Sequence, residues 1–172
     1  MQTKETMMSV KPFAITLDVG TSLANRTGSW RTLKPVYVDR LPPCNAKCPA
    51  GEQCQAWLFH AQSGNYENAW KQIIEDNPFP AVMGRVCYHT CQGACNRNGI
   101  DEPVGINAVE RFLGDYALEK GWQLPVPAAD TGKRILIVGA GPAGLSAAYQ
   151  LRRLGHAVHV VESAEAAGGM MR

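Results

Sequence analysis

Residues 134–144 read RILIVGAGPAG and continue as LSAAYQLRRLGHAVHVVE to Glu162. The run Ile135 to Val138 is short and wholly apolar, which suits a buried parallel strand; Pro142 to Leu154 has the character of a helix closed by Gly155, and AVHVV leads a second strand up to Glu162. This order predicts a βαβ unit, the opening of an α/β dinucleotide-binding, Rossmann-like domain. Gly139 permits the tight turn off the strand, Gly141 leaves room for a pyrophosphate to meet backbone, and Gly144 lets the helix pack closely on the strand. The helix opens at Pro142 and Ala143, so its free amides face the negative charge. Glu162 stands where a carboxylate can hydrogen-bond ribose hydroxyls, and the Gly168-Gly169 pair adds a further close approach, with Gly169 beside the pyrophosphate.

All 6 cysteines lie upstream of this fingerprint, at Cys44, Cys48, Cys54, Cys87, Cys91 and Cys95. The N-terminus has no apolar leader and no stretch approaches 18 uninterrupted apolar residues, so the expected setting is a soluble, reducing, cytoplasmic one with no membrane partner. Three disulfides would need an oxidising compartment; metal or cluster ligation accounts for the thiols better. Zinc remains open on spacing, since Cys44-x3-Cys48 and Cys87-x3-Cys91-x3-Cys95 offer enough thiols for a tetrahedral site, although zinc ribbons use a tighter knuckle. With 17 Lys and Arg against 15 Asp and Glu the net charge is +2 and no basic block stands out, which argues against nucleic acid.

Helical periodicity surrounds the cysteines. Cys54, Trp57, Leu58 and Ala61 share one stripe over 52–62, and Tyr66, Ala69, Trp70, Ile73 and Ile74 repeat it after a Ser-Gly-Asn break, with Asn65 as expected N-cap and Pro78 and Pro80 as stops. A third helix is predicted over about 106–119, its inner stripe Ile106, Val109, Leu113, Tyr116 and Ala117, with Gly121 as its stop. Cys54, Trp57, Trp70 and Phe112 are assigned to the core on spacing, and no histidine receives a role. The domain plan is an extended arm with a short strand over 1–43, a helical cysteine domain over 44–121, a proline-containing linker over 122–133 and the βαβ unit over 134–172.

The segments CNAKCPAGEQCQAWL, DNPFPAVMGRVCYHTCQGACNRNG and EPVGINAVERF, followed by GAGPAGL, resemble the N-terminal iron-sulfur domain and FAD-binding start shared by the glutamate synthase small subunit and dihydropyrimidine dehydrogenase. TGSWRTLKPVYVDRLPPC further resembles small-subunit-like flavoproteins that exchange electrons with larger assemblies. The resemblance implies a 4Fe-4S cluster on Cys48, Cys87, Cys91 and Glu110. It places a second cluster at Cys44 and Cys95, but the cysteine pair expected just before Cys44 is replaced by YVDRLPP, so no complete second cluster is expected from this chain alone. Glu110 also falls at the edge of a buried stripe, where an unpaired charge is costly; the alternative is a surface pairing with Arg85, Arg97 or Arg111.

The resulting expectation is the N-terminal part of an FAD- and iron-sulfur-containing oxidoreductase. Only the ADP part of FAD would be held here, with nicotinamide at the same site as the second reading and NAD(P) otherwise bound by a downstream domain. Partners implied by the resemblance are a glutamate synthase large subunit or a 2-oxoacid or aldehyde oxidoreductase. No catalytic acid, base or nucleophile is identified, and the 172 residues alone are expected to be inactive with NAD(P)H. A docking or adaptor module without redox function, or a structural zinc domain, stands as the alternative.

Overall fold

The structure, a computed structural model, describes residues 41–172. The strand expected within 11–19 and nearly all of the extended arm lie outside the described residues. Helices α1 (Pro43–Lys47), α2 (Cys54–Gln62), α3 (Tyr66–Ile73), α4 (Pro80–Val86), α5 (Thr90–Gly93) and α6 (Ile106–Lys120) precede β1 (Arg134–Val138), α7 (Pro142–Arg153) and β2 (Ala157–Val161). The helical cysteine region followed by a βαβ unit is therefore the observed architecture.

The three long helices of the cysteine region form where the periodicity places them. Asn65 occupies the N-cap of α3 without a side-chain capping bond, and Gly121 ends α6 in the left-handed conformation, at φ 63°, that a side chain resists. The pattern did not disclose α4 and α5. Pro80 opens α4 at the first helical position, where its missing N–H costs nothing, so a residue expected only to stop one helix also starts the next.

The core joins Cys54 and Trp57 of α2, Ala69 and Ile73 of α3, Cys91 of α5, and Ile106 and Leu113 of α6. Trp57 and Trp70 are buried as expected, whereas Phe112 is 46% exposed. It lies off the inner stripe of α6 and instead stacks on Tyr116 and meets the edge of Tyr66.

Helices α4 and α6 approach closely because each offers a glycine to the other. A Cβ at Gly114 would lie 2.2 Å from Ala81 N, and one at Gly84 would lie 2.5 Å from Arg111 Cα. Asn107 Nδ2 adds a bond to Met83 O, and Arg85 pairs with Asp115 along the exposed side of the contact.

β1 and β2 pair in parallel, Arg134 opposite Ala157 through Val138 opposite Val161, with α7 as the crossover. A second small core of Trp70, Ile74 and Ala117 receives Trp122 and Tyr149, so α7 packs on the helical region. Gln150 Nε2 and the Arg153 guanidinium both donate to Glu75 O just beyond α3, where a cation favourably meets the negative end of a helix.

Candidate metal centre and nucleotide cradle

Two of the three cysteines expected to bind the first cluster sit at helix ends. Cys48 follows α1 in extended conformation, Cys87 follows α4 in the same way, and Cys91 lies inside α5. Thr90 Oγ1 donates to Lys47 O at 2.9 Å, which ties the start of α5 to the end of α1 and brings the surroundings of Cys48 and Cys91 together. His89, between Cys87 and Cys91, is the only non-glycine with positive φ among the described residues, at 58°. The left-handed step lets the chain turn sharply between the two thiols.

Helix α6 brings Glu110 near Cys48 and Glu52. Oriented to satisfy its neighbours, the Gln92 side-chain oxygen accepts from Ile106 N at 3.1 Å and Asn107 N at 3.2 Å, so the residue after Cys91 caps α6. Glu110 is 6% exposed. Surface pairing does not occur: Arg85 and Arg111 face Asp115, Arg97 faces Asp101, and no ion pair among the described residues includes Glu110. Asn77 Nδ2 instead donates to Glu110 Oε1 at 2.8 Å and to Glu52 Oε1 at 2.9 Å. Asn77 is held in turn by Phe79 N, which donates to its Oδ1 at 3.0 Å. Two buried carboxylates thus share one amide, and neither is in an ion pair among the described residues.

The electrostatics follow from this burial. Burial and the neighbouring Glu52 push the Glu110 carboxyl up to about 8, and burial pushes Glu52 up to about 7. Cys48 goes the other way, down to about 6, because the Cys54 thiol donates to it and the amides of Glu52, Ala50 and Gly51 converge on its sulfur. Burial raises the Cys91 thiol, and the Val104 amide lowers that of Cys95.

Cys44 packs half-buried beside Cys48 against the core, its thiol donating to Asn45 Oδ1. None of Cys44, Cys87, Cys91, Cys95 and Glu110 enters a group of three mutually close ligand atoms among the described residues. The group that does form is Cys48, Glu52 and Cys54, all within 4.8 Å of one another. Cys54 is 1% exposed, as its stripe position required, but its sulfur turns toward Cys48. Sequence reading missed Glu52 and Asn77; the Asn-Pro step at 77 and 78 signalled a turn and nothing in it signalled a bridge.

The candidate nucleotide cradle is held at one residue. Ala140 N donates to Glu162 Oε2 at 2.7 Å, and Ala140 O accepts from Gly168 N at 2.8 Å. Glu162 Oε1 accepts from Ser163 N and Ala164 N, and these bonds, led by Ala164, hold the carboxyl down at about 2. Glu162 therefore clamps the fingerprint loop as well as facing outward. Gly139 turns at φ 99°, where glycine is favoured, and a Cβ at Gly144 would strike Gly139 O at 2.0 Å. A Cβ at Gly141 would meet no atom within 4 Å, so that side of the loop is open, and no side chain caps α7. Gly169 packs on it from the other side, 3.1 Å from Gly141 Cα for a built Cβ.

Residues 38–122 match the family described as dihydropyrimidine dehydrogenase domain II, 4Fe-4S cluster, and residues 137–172 match the NAD(P)-binding Rossmann-like domain. Glutamate synthase [NADPH] small chain of Bacillus subtilis is 39% identical over 125 residues, 72% of this chain and 25% of the relative. The chain is related to the glutamate synthase small subunit and dihydropyrimidine dehydrogenase. Glutamate synthase [NADH] of Schizosaccharomyces pombe is 43% identical over 126 residues, 73% of this chain and 6% of the relative. The NADP(+)-dependent formate dehydrogenase subunit beta of Moorella thermoacetica is 36% identical over 152 residues, covering 75% and 21%. The chain thus spans a quarter or less of the length of these relatives, all of them oxidoreductases by name. Among the described residues no helix is long and apolar enough to cross a membrane.

The paired carboxylates predict an unusual acid response. Their folded-state values of about 7 and about 8 lie above the ordinary 4.5, so the folded chain holds their protons more tightly, and the stability they contribute is complete below 4.5 and lost as pH rises through those values. Cys48 acts with opposite sign, but only between about 6 and 9.0. Between pH 4.5 and 6, metal-free protein should lose on the order of a few kcal/mol as pH rises. Urea midpoints across that window check this, and Glu52→Gln with Glu110→Gln should flatten the curve.

Proposed function

We propose that the chain is an electron-transfer module. The helical domain holds one 4Fe-4S cluster through Cys48, Cys87, Cys91 and Glu110, and the βαβ unit holds the ADP part of FAD through Gly139, Gly141, Pro142, Ala143, Gly144, Glu162 and Gly169. The observation that carries the first half is Glu110, a buried carboxylate with no cation on a helix pinned to both cysteine-bearing segments. The donor set fits the group: thiolates suit iron-sulfur clusters, and the neighbours of Cys48 already favour a thiolate. When bound, the cluster carries single electrons and the flavin converts a two-electron hydride into single electrons.

The chain's own residues bind and orient. Asn77 occupies one oxygen of Glu110 and leaves the other for a metal; the neighbouring Cys54 thiol favours the Cys48 thiolate; the open side of Gly141 admits phosphate. Ionised Glu162 accepts from ribose hydroxyls and repels a 2′-phosphate, which favours FAD or NAD over NADP at this cradle. Relatives named for NADH or NADPH and as small chains support a nicotinamide electron source bound elsewhere and a larger oxidoreductase subunit as acceptor, such as a glutamate synthase large subunit or a 2-oxoacid or aldehyde oxidoreductase. A cytoplasmic location accords with this chemistry.

Anaerobic reconstitution with iron and sulfide tests the proposal. A broad visible absorption that bleaches on reduction, with a paramagnetic signal from the reduced cluster, is expected; stoichiometric zinc without sulfide, or no metal at all, would favour the structural or adaptor reading. Gly141→Val tests the cradle. Its side chain enters open space, so the fold should keep its melting temperature while ADP or FAD affinity falls at least about tenfold. Gly144→Val, aimed at a backbone oxygen, should instead destabilise the unit itself.

A further inference from the structure

We propose a second, mononuclear metal site, formed by Cys48 Sγ, Cys54 Sγ and a Glu52 carboxylate oxygen, that takes a soft divalent ion such as zinc or ferrous iron. These three donor atoms all lie within 4.8 Å of one another. Two thiolates on one tetrahedral ion at ordinary zinc-sulfur distance stand about 3.7 Å apart, so closing on a single ion needs movements of about 1 Å or less. Thiolates on different irons of one cluster are held apart by the cluster body, so the Cys48 and Cys54 pair has the spacing of an ion rather than of two cluster corners.

Glu52 points to a cation independently. It is 5% exposed, accepts from Asn77 Nδ2 at 2.9 Å, and belongs to no ion pair among the described residues. A buried carboxylate without a positive partner is costly, and the cluster ligation of Glu110 does not relieve it at Glu52. The buried indole Nε1 of Trp57 lies toward the same carboxylate yet makes no hydrogen bond.

The turn that assembles the donors is local: Gly51 N donates to Cys48 O at 3.1 Å, Gly51 takes φ 74°, and the chain returns to start α2 at Cys54. Binding releases the thiol protons to solvent, and three protein donors leave a fourth tetrahedral position for water. Because Cys48 serves both centres, the ion and the 4Fe-4S cluster exclude one another.

Cobalt(II) is the probe, added to the reduced, metal-free 172-residue protein under anaerobic conditions. One equivalent should bind with thiolate-to-cobalt charge-transfer absorption, and zinc should displace it. Cys54→Ser and Glu52→Gln should each weaken cobalt at least about 100-fold, beyond what loss of a supporting residue costs. Cys87→Ser should leave it unchanged, and Cys54→Ser should still assemble the cluster. Glu52→Gln keeps shape and a carbonyl acceptor for Asn77, so it serves if Cys54→Ser does not fold. Loss of cobalt in Cys87→Ser with retention in Glu52→Gln, or no charge-transfer band in the native chain, overturns the site. A wild-type chain that takes cobalt as described but never assembles iron and sulfide sinks the cluster reading and leaves this one standing.

Discussion

Replacing Cys87 or Cys91 by serine, or Glu110 by leucine, is expected to remove the cluster from reconstituted protein, with acid-labile sulfide lost and iron falling from about four per chain to about one or less. The leucine variant separates ligation from folding. Glu110 is buried with Asn77 as its one hydrogen-bond partner among the described residues, so an apolar replacement relieves the burial of a carboxyl without a cation there and should stabilise the metal-free chain by on the order of 1 kcal/mol while abolishing the cluster. A purely structural Glu110 would lose stability on the same substitution. Glu110→Gln keeps an oxygen donor and should retain partial iron with a shifted reduction potential. Full iron and sulfide in Glu110→Leu would remove Glu110 from the ligand set.

Gly114→Val should unfold or severely loosen the helical region, costing about 3 kcal/mol or more in urea denaturation. The added carbon would stand 2.2 Å from Ala81 N and 2.6 Å from Ala81 Cα, and backbone cannot rotate aside as a side chain can. Cluster assembly should fail with it, because α4 carries Cys87 at its end and α6 carries Glu110 one turn before Gly114. Leu118→Ser, on the same helix but 74% exposed, is the control and should stay within about 0.5 kcal/mol of the native chain. Equal stability of the two variants would show that α4 and α6 do not pack through these glycines.

The βαβ unit was the most legible part. Its strands and helix lie within a residue or so of where period and glycine spacing placed them, because each signal there acts over a few positions. Long helices in the cysteine region were legible for the same reason. Three short helices were not: α4 begins at a proline expected only to stop a helix, and α1 and α5 have 5 and 4 residues, too few to show a period. Gly114 inside α6 carried no sequence reading, although an isolated glycine in a helix often marks a close neighbour.

Within the candidate site, the ligand types came from residue identity and resemblance, and the burial of Glu110 from its place beside the stripe. What surrounds them came only from contacts across the chain. Asn77 reaches Glu110 from 33 positions away and Glu52 from 25, and Thr90 reaches Lys47 from 43. Cys54 illustrates the division: its helical position alone determined that it is buried, but that its sulfur faces Cys48 depends on the turn at Gly51. Sequence by itself determined the order of elements, the glycine loop and the supply of thiols, since those rest on local backbone preference and side-chain chemistry. Tertiary structure alone decided that Glu110 meets no arginine among the described residues, that it shares an amide with Glu52, and that α4 and α6 touch through glycine, since a charge's partner and a helix's neighbour are chosen by packing among distant segments.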